Sequence, residues 1–145
     1  RTEDLLKKRQ GKYRIKVLPD ATASGRGVYN EALSKLLNQS WLTLCSRSRA
    51  DICFSKYIEA SASYSGILGN VPTDYKDLFS GNIVEISEFD SDEEILKKID
   101  QGLADKKKLR EKIRRLGDRV HKLYNIDEGV KDMDRVFSQV VSGAR

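Results

Sequence analysis

The sequence predicts an α/β fold: a Rossmann-like parallel sheet of about four strands flanked by helices, followed by C-terminal amphipathic helices. Short apolar, β-branched runs alternate with stretches whose apolar residues recur at helical spacing. The run Trp41-Leu42-Thr43-Leu44-Cys45 lacks polar alternation, as a strand covered on both faces does. From Ser91 onward strands give way to helices with a single apolar stripe.

Residues 1–11 read as a charged lead-in, and residues 12–145 as a single domain, since 145 residues leave no room for a second. The chain starts on Arg1, which suggests a segment of a longer polypeptide. Tyr13, Ile15, Val17 and Leu18 form the first β-prone run, stopped by Pro19, and Gly25 and Gly27 place Arg26 in a loop. Val28, Ala32, Leu33, Leu36 and Leu37 mark a helix that ends in the polar residues 38–40. After the strand at 41–45, Ser55 is the expected N-cap of a helix running to Ala62. Gly66 and Gly69 bracket a very short strand, Ile67-Leu68, and Asn70 to Thr73 turn the chain. A short helical piece over Asp74 to Phe79 leads to a strand over Asn82 to Ile86.

Ser91-Asp92-Glu93-Glu94 is a capping-box pattern, with Ile95, Leu96, Ile99 and Leu103 forming the apolar face behind it. Leu109, Ile113, Leu116, Val120 and Leu123 define a second amphipathic helix, and Val130, Met133, Val136, Phe137 and Val140 a third. Strands separated by helices require crossover connections, hence a parallel sheet with helices on both faces.

Composition excludes several classes. Hydrophobic residues make up 39% and charged residues 34%, which suits a globular rather than a disordered chain. No run approaches the ~20 apolar residues needed to cross a bilayer, and residues 1–11 lack the apolar core of a signal peptide, so the expected location is cytoplasmic. The two cysteines, Cys45 and Cys53, match neither a redox pair nor a zinc knuckle and read as buried thiols. With His121 the lone histidine, neither a zinc site nor serine–histidine chemistry has its parts. A net charge of +5 points to an anionic partner: nucleic acid, a membrane surface or a phosphorylated small molecule.

In an open parallel sheet, ligands sit beyond the carboxyl ends of the strands, where loops enter helix N-termini. That rim includes residues 46–56 and 69–74. A helix N-terminus offers free amides and partial positive charge, so phosphate is its natural guest. Lys56 adds a cation in the first turn of the helix near Ser55. Glu59 lies three residues on along the same face, placed to accept from two vicinal hydroxyls of the kind a ribose presents.

At these residues the chain resembles the donor-site segment of group-1 glycosyltransferases of the GT-B fold. The run from Ser55-Lys56-Tyr57-Ile58-Glu59-Ala60 through Ser63, Gly66-Ile67-Leu68-Gly69 and Asn70-Val71-Pro72 is similar to their pattern of a basic residue, two others, Glu-Ala, a small-residue turn and a short apolar strand. The downstream order of elements is similar too, so the resemblance covers about residues 12–141.

The resemblance implies half of a GT-B fold: a domain that binds a nucleoside-diphosphate sugar, UDP- or GDP-linked, for transfer to an acceptor hydroxyl, with no metal required. It gives Glu59 the nucleotide ribose, Lys56 the diphosphate and Asp51, eight positions before Glu59, the donor sugar. The family commonly has Glu at that place. The small-residue turn is here Tyr64-Ser65-Gly66, bringing Ser65 and Gly66 into the donor-binding set, although Tyr64 stands where the family has Gly. Arg47 and Arg49, beyond the strand at 41–45, are further phosphate candidates or solubilising loop residues. The acceptor would bind an N-terminal domain of the same full-length protein, so this piece alone would bind nucleotide but transfer little.

Two other readings compete. The basic stretch from Lys106 to Lys122 fits a nucleic-acid-binding module or peripheral contact with an anionic membrane as well as a solvated helix face. A non-catalytic α/β interaction domain would bind no nucleotide. A different Rossmann-like binder such as a dehydrogenase is a third, weaker reading, because no G-x-G-x-x-G follows the first strand and Ser24-Gly25-Arg26-Gly27 is too sparse to serve. The tyrosines form no stacking ladder, and Trp41 is expected in the core.

Overall fold

The computed structural model describes residues 2–18, 30–46, 52–125, 127, 130–131, 133–135 and 138. Its elements are α1 (Thr2–Lys7), α2 (Asn30–Asn38), β1 (Leu42–Cys45), α3 (Ser55–Ala62), β2 (Gly66–Gly69), a 3-10 turn (Thr73–Tyr75), α4 (Lys76–Phe79), β3 (Val84–Glu85), α5 (Asp92–Ala104) and α6 (Lys106–Leu123). The described sheet is parallel, with three strands in the order β1-β2-β3. Register pairs Leu42 with Gly66 and Cys45 with Gly69 along the first ladder, and Leu68 with Val84 along the second.

The α/β class and a parallel sheet flanked by helices are as expected, but the sheet has three described strands rather than four. Residues 14–18 form no strand, and Val17 and Leu18 are exposed. The preceding residues are tied to α5 instead: Lys12 Nζ and the Tyr13 hydroxyl both donate to the Asp100 carboxylate, at 2.7 and 2.6 Å. The charged lead-in is helical as α1, and its Leu5 and Leu6 pack with Tyr13 beside α5.

Alternation along β2 divides the core. Ile67 joins Tyr57, Leu78, Phe79, Leu116 and Val120 beneath α3, α4 and α6, while Leu68 joins Ile86, Ile95 and Ile99 beneath α5. All four β2 residues are buried, as a central strand between two helical layers demands. Each fully buried aliphatic or aromatic side chain contributes about 1.5–3 kcal/mol of transfer free energy, so these two clusters hold the helices on the sheet.

The capping box at α5 forms as expected, with Glu94 N–H donating to Ser91 Oγ at 3.2 Å and Ser91 N–H to the Glu94 carboxylate at 2.7 Å. Helix α6 buries Leu109, Ile113, Leu116 and Val120, whereas Leu123 stays exposed at the helix end. Of the expected last helix, the described residues Val130, Lys131, Met133, Asp134, Arg135 and Ser138 are helical; Val136, Phe137 and Val140 lie outside the described residues. No helix among the described residues is long and apolar enough to cross a membrane.

Candidate functional site

Three buried or half-buried groups fasten the carboxyl rim of the sheet. Tyr57, fully buried on α3, directs its hydroxyl at Asn70 O (2.9 Å) and Cys45 O (3.2 Å), tying the helix to the ends of β2 and β1. The Asn70 side-chain amide donates to Ile86 O at 2.9 Å, which carries the clasp across to β3. Gly69 permits the close approach of β1 and β2 here, because a Cβ on it would come within 2.1 Å of Cys45 O.

Helix α3 starts at this rim. Phe54, with φ −86° and ψ 152°, holds the N-cap position and offers no side-chain acceptor. Ser55 was the expected cap; it is instead the first helical residue, one place too far along for its hydroxyl to bond the first-turn amides. The Tyr57 amide turns back to Phe54 O at 2.9 Å, while the amides of Ser55 and Lys56 have no acceptor among the described residues. Just upstream, the Cys53 amide donates to both Asp74 carboxylate oxygens at 3.1 Å.

Lys56 leans toward the strand end: its ammonium donates to Ser46 Oγ at 3.1 Å and lies 5.3 Å from the Phe54 ring centre. One turn on, the exposed Glu59 carboxylate makes no hydrogen bond or ion pair with a described residue. Both charges are felt at Cys45, the last residue of β1. Burial pushes that thiol up to about 12, with Lys56 pulling it down and Glu59 adding to the rise. Three residues apart on α3, Lys56 and Glu59 lie on one side of the helix, one turn from each other.

The remaining expected site residues divide into two groups. Arg47, Arg49 and Asp51 lie outside the described residues. Ser65 and Gly66 are not brought to the rim: they follow α3, and an eight-residue helix is about 12 Å long, so they sit at the opposite, amino edge of the sheet. There Ser65 is buried, its hydroxyl sharing a 2.7 Å hydrogen bond with Thr43 Oγ1 and donating to Ser40 O at 3.2 Å. A Cβ on Gly66 would meet Trp41 O at 2.5 Å, so that glycine serves strand packing.

Tyr64 shares that amino edge and has a left-handed φ of 53°, a conformation that favours glycine. Its ring lies against Gly117, where an added Cβ would come within 2.6 Å of it, and beside His121, with ring centres 5.5 Å apart. Its hydroxyl donates to Asp118 at 3.0 Å. Trp41 is half-buried at the same edge rather than in the core.

Sequence reasoning did not single out Tyr57, Asn70 or Asp74 as site-shaping residues. A polar Asn directly after a glycine-bracketed strand was the available signal for Asn70; the hydroxyl contacts of Tyr57 had none. A separate hollow of about 270 Å³ lies between β3, α5 and α6, bordered by Val84, Lys98, Gly102 and Lys108. Its Lys98 is already paired with Asp90 at 2.6 Å. Comparisons with known family models, with curated proteins and with solved structures find no match to this chain.

Proposed function

We propose that the chain is the donor-binding half of a glycosyltransferase, gripping a nucleoside-diphosphate sugar whose sugar passes to an acceptor hydroxyl. One observation carries the reading: α3 begins beyond the end of β1 with two first-turn amides that lack an acceptor among the described residues, a cation at Lys56 and an exposed carboxylate at Glu59 on one side. Amides and ammonium suit a diphosphate, and a carboxylate one turn along suits the vicinal hydroxyls of ribose. In transfer, the same amides and Lys56 would stabilise charge developing on the departing diphosphate. By the resemblance, Asp51 would contact the donor sugar and Arg47 and Arg49 the phosphates, and an N-terminal domain of the full-length protein would hold the acceptor.

Titration calorimetry of the chain with UDP, GDP and their sugar conjugates tests this directly. The expected result is measurable binding that Glu59→Ala weakens by about 1–3 kcal/mol, because ribose donors lose their acceptor. No heat from the wild-type chain at millimolar ligand overturns the proposal, and an unchanged affinity in Glu59→Ala removes that residue from the site.

A further inference from the structure

A basic surface lies away from the rim, on α6. Between Lys106 and Gly117, seven Lys or Arg residues stand against one acidic residue, Glu111. They do not all serve the same end. On one flank Arg115 donates to Asn82 Oδ1 at 2.6 Å and Arg119 to Asp77 O at 3.3 Å, so those cations hold α6 to the neighbouring turn. On the other flank Lys106, Arg110 and Arg114 recur at every fourth residue, a straight row along one side of the helix, and all three are exposed.

That row passes Trp41 and Tyr64, the residues at the amino edge of the sheet. Lys106 Nζ and Arg110 Cζ stand 5.5 and 5.4 Å from the Trp41 ring centre. Arg114 approaches Asp118 only to 3.7 Å, and Asp118 also accepts from Tyr64. The row thus keeps most of its charge while its stems rest on an amphipathic aromatic residue of the kind that favours a membrane interface.

We propose that this flank of α6 lies on an anionic lipid surface, with Lys106, Arg110 and Arg114 facing headgroup phosphates and Trp41 at the interface. Two features favour lipid over other polyanions. Stacking of nucleic-acid bases needs free ring faces, yet Lys106 and Arg110 already stand over the Trp41 ring and the Tyr64 ring rests on Gly117 and His121. A protein partner would need an apolar centre to desolvate, and this row presents cations throughout. The surface is at the amino edge of the sheet, so it is independent of the nucleotide reading at the carboxyl rim.

The test is co-sedimentation of the chain with vesicles of equal parts phosphatidylcholine and phosphatidylglycerol, against vesicles of phosphatidylcholine alone, at near-physiological salt. Binding is expected only to the anionic vesicles. Each cation near such a surface is worth about five-fold, so the triple variant Lys106→Gln, Arg110→Gln, Arg114→Gln should lose about a hundred-fold in partitioning. A charge-matched variant, Lys8→Gln, Lys35→Gln, Lys97→Gln, should lose far less, which separates this flank from net charge. Equal binding to neutral vesicles, equal losses in the two variants, or tighter binding to a single-stranded oligonucleotide at the same salt overturns the proposal.

Discussion

The Tyr57 hydroxyl reaches Asn70 O at 2.9 Å, and the Asn70 side chain in turn donates to Ile86 O at the same distance. The three strand ends are thereby linked in series through one aromatic hydroxyl and one amide, both supplied by residues beside the proposed donor site. The rim is preorganised by groups that need not touch the ligand.

Removing the hydroxyl alone should show this. Tyr57→Phe keeps the ring against Phe79 and leaves two strand-end carbonyls short of a donor, so stability should fall by about 1–2 kcal/mol. Urea unfolding with an unchanged slope and a lower midpoint is the expected result.

Gly69→Ala tests the close approach of β1 and β2. The clashing atom is the Cys45 backbone oxygen, which cannot swing aside, so about 3 kcal/mol of destabilisation is expected. Gly11→Ala, where the added methyl meets nothing, should stay within about 0.5 kcal/mol of wild type in the same assay.

Asp74 places a carboxylate beside the chain entering α3, through its two contacts with the Cys53 amide. Its charge opposes a diphosphate arriving at the same rim. Asp74→Asn should therefore tighten UDP or GDP binding by about two- to five-fold while costing about 1 kcal/mol of stability. Tighter binding in calorimetry beside a lower unfolding midpoint would separate the two effects.

Acid should loosen the α5 side of the molecule first. Hydrogen bonds from Ser91 hold the Glu94 carboxyl below its ordinary 4.5, and those from Lys12 and Tyr13 hold Asp100 below 3.8. A carboxyl with a lowered folded pKa contributes its full stability above the unfolded value and loses it as pH falls through the folded one. The thermal midpoint should accordingly be insensitive to these two groups down to about pH 5 and then drop, and Asp100→Asn should make that drop shallower.

The alternation of strand and helix was legible because it rests on local pattern: β2, β3, α5 and α6 fall where apolar spacing and the Ser91 capping box place them. What pattern missed depended on partners far along the chain. Tyr13 and its neighbours have strand-like residues, yet Asp100, eighty-seven positions away, anchors the tyrosine to α5. Trp41 has a core-like side chain, yet Lys106 and Arg110 meet it at the edge. Within the candidate site, Lys56 and Glu59 were legible from their one-turn spacing. Ser65 and Gly66 misled because they are near in sequence, while the intervening helix carries them across the sheet.

The left-handed corner at Tyr64 bears on how the proposed donor site is judged from sequence. If the chain binds a donor as proposed, an aromatic in the small-residue turn would invite the reading of an inactive copy. Here the aromatic has a backbone geometry that favours glycine and uses its bulk against Gly117, with the whole length of α3 separating it from Lys56. Judging the proposed donor site by that one position would weigh a residue at the far end of α3 from Lys56.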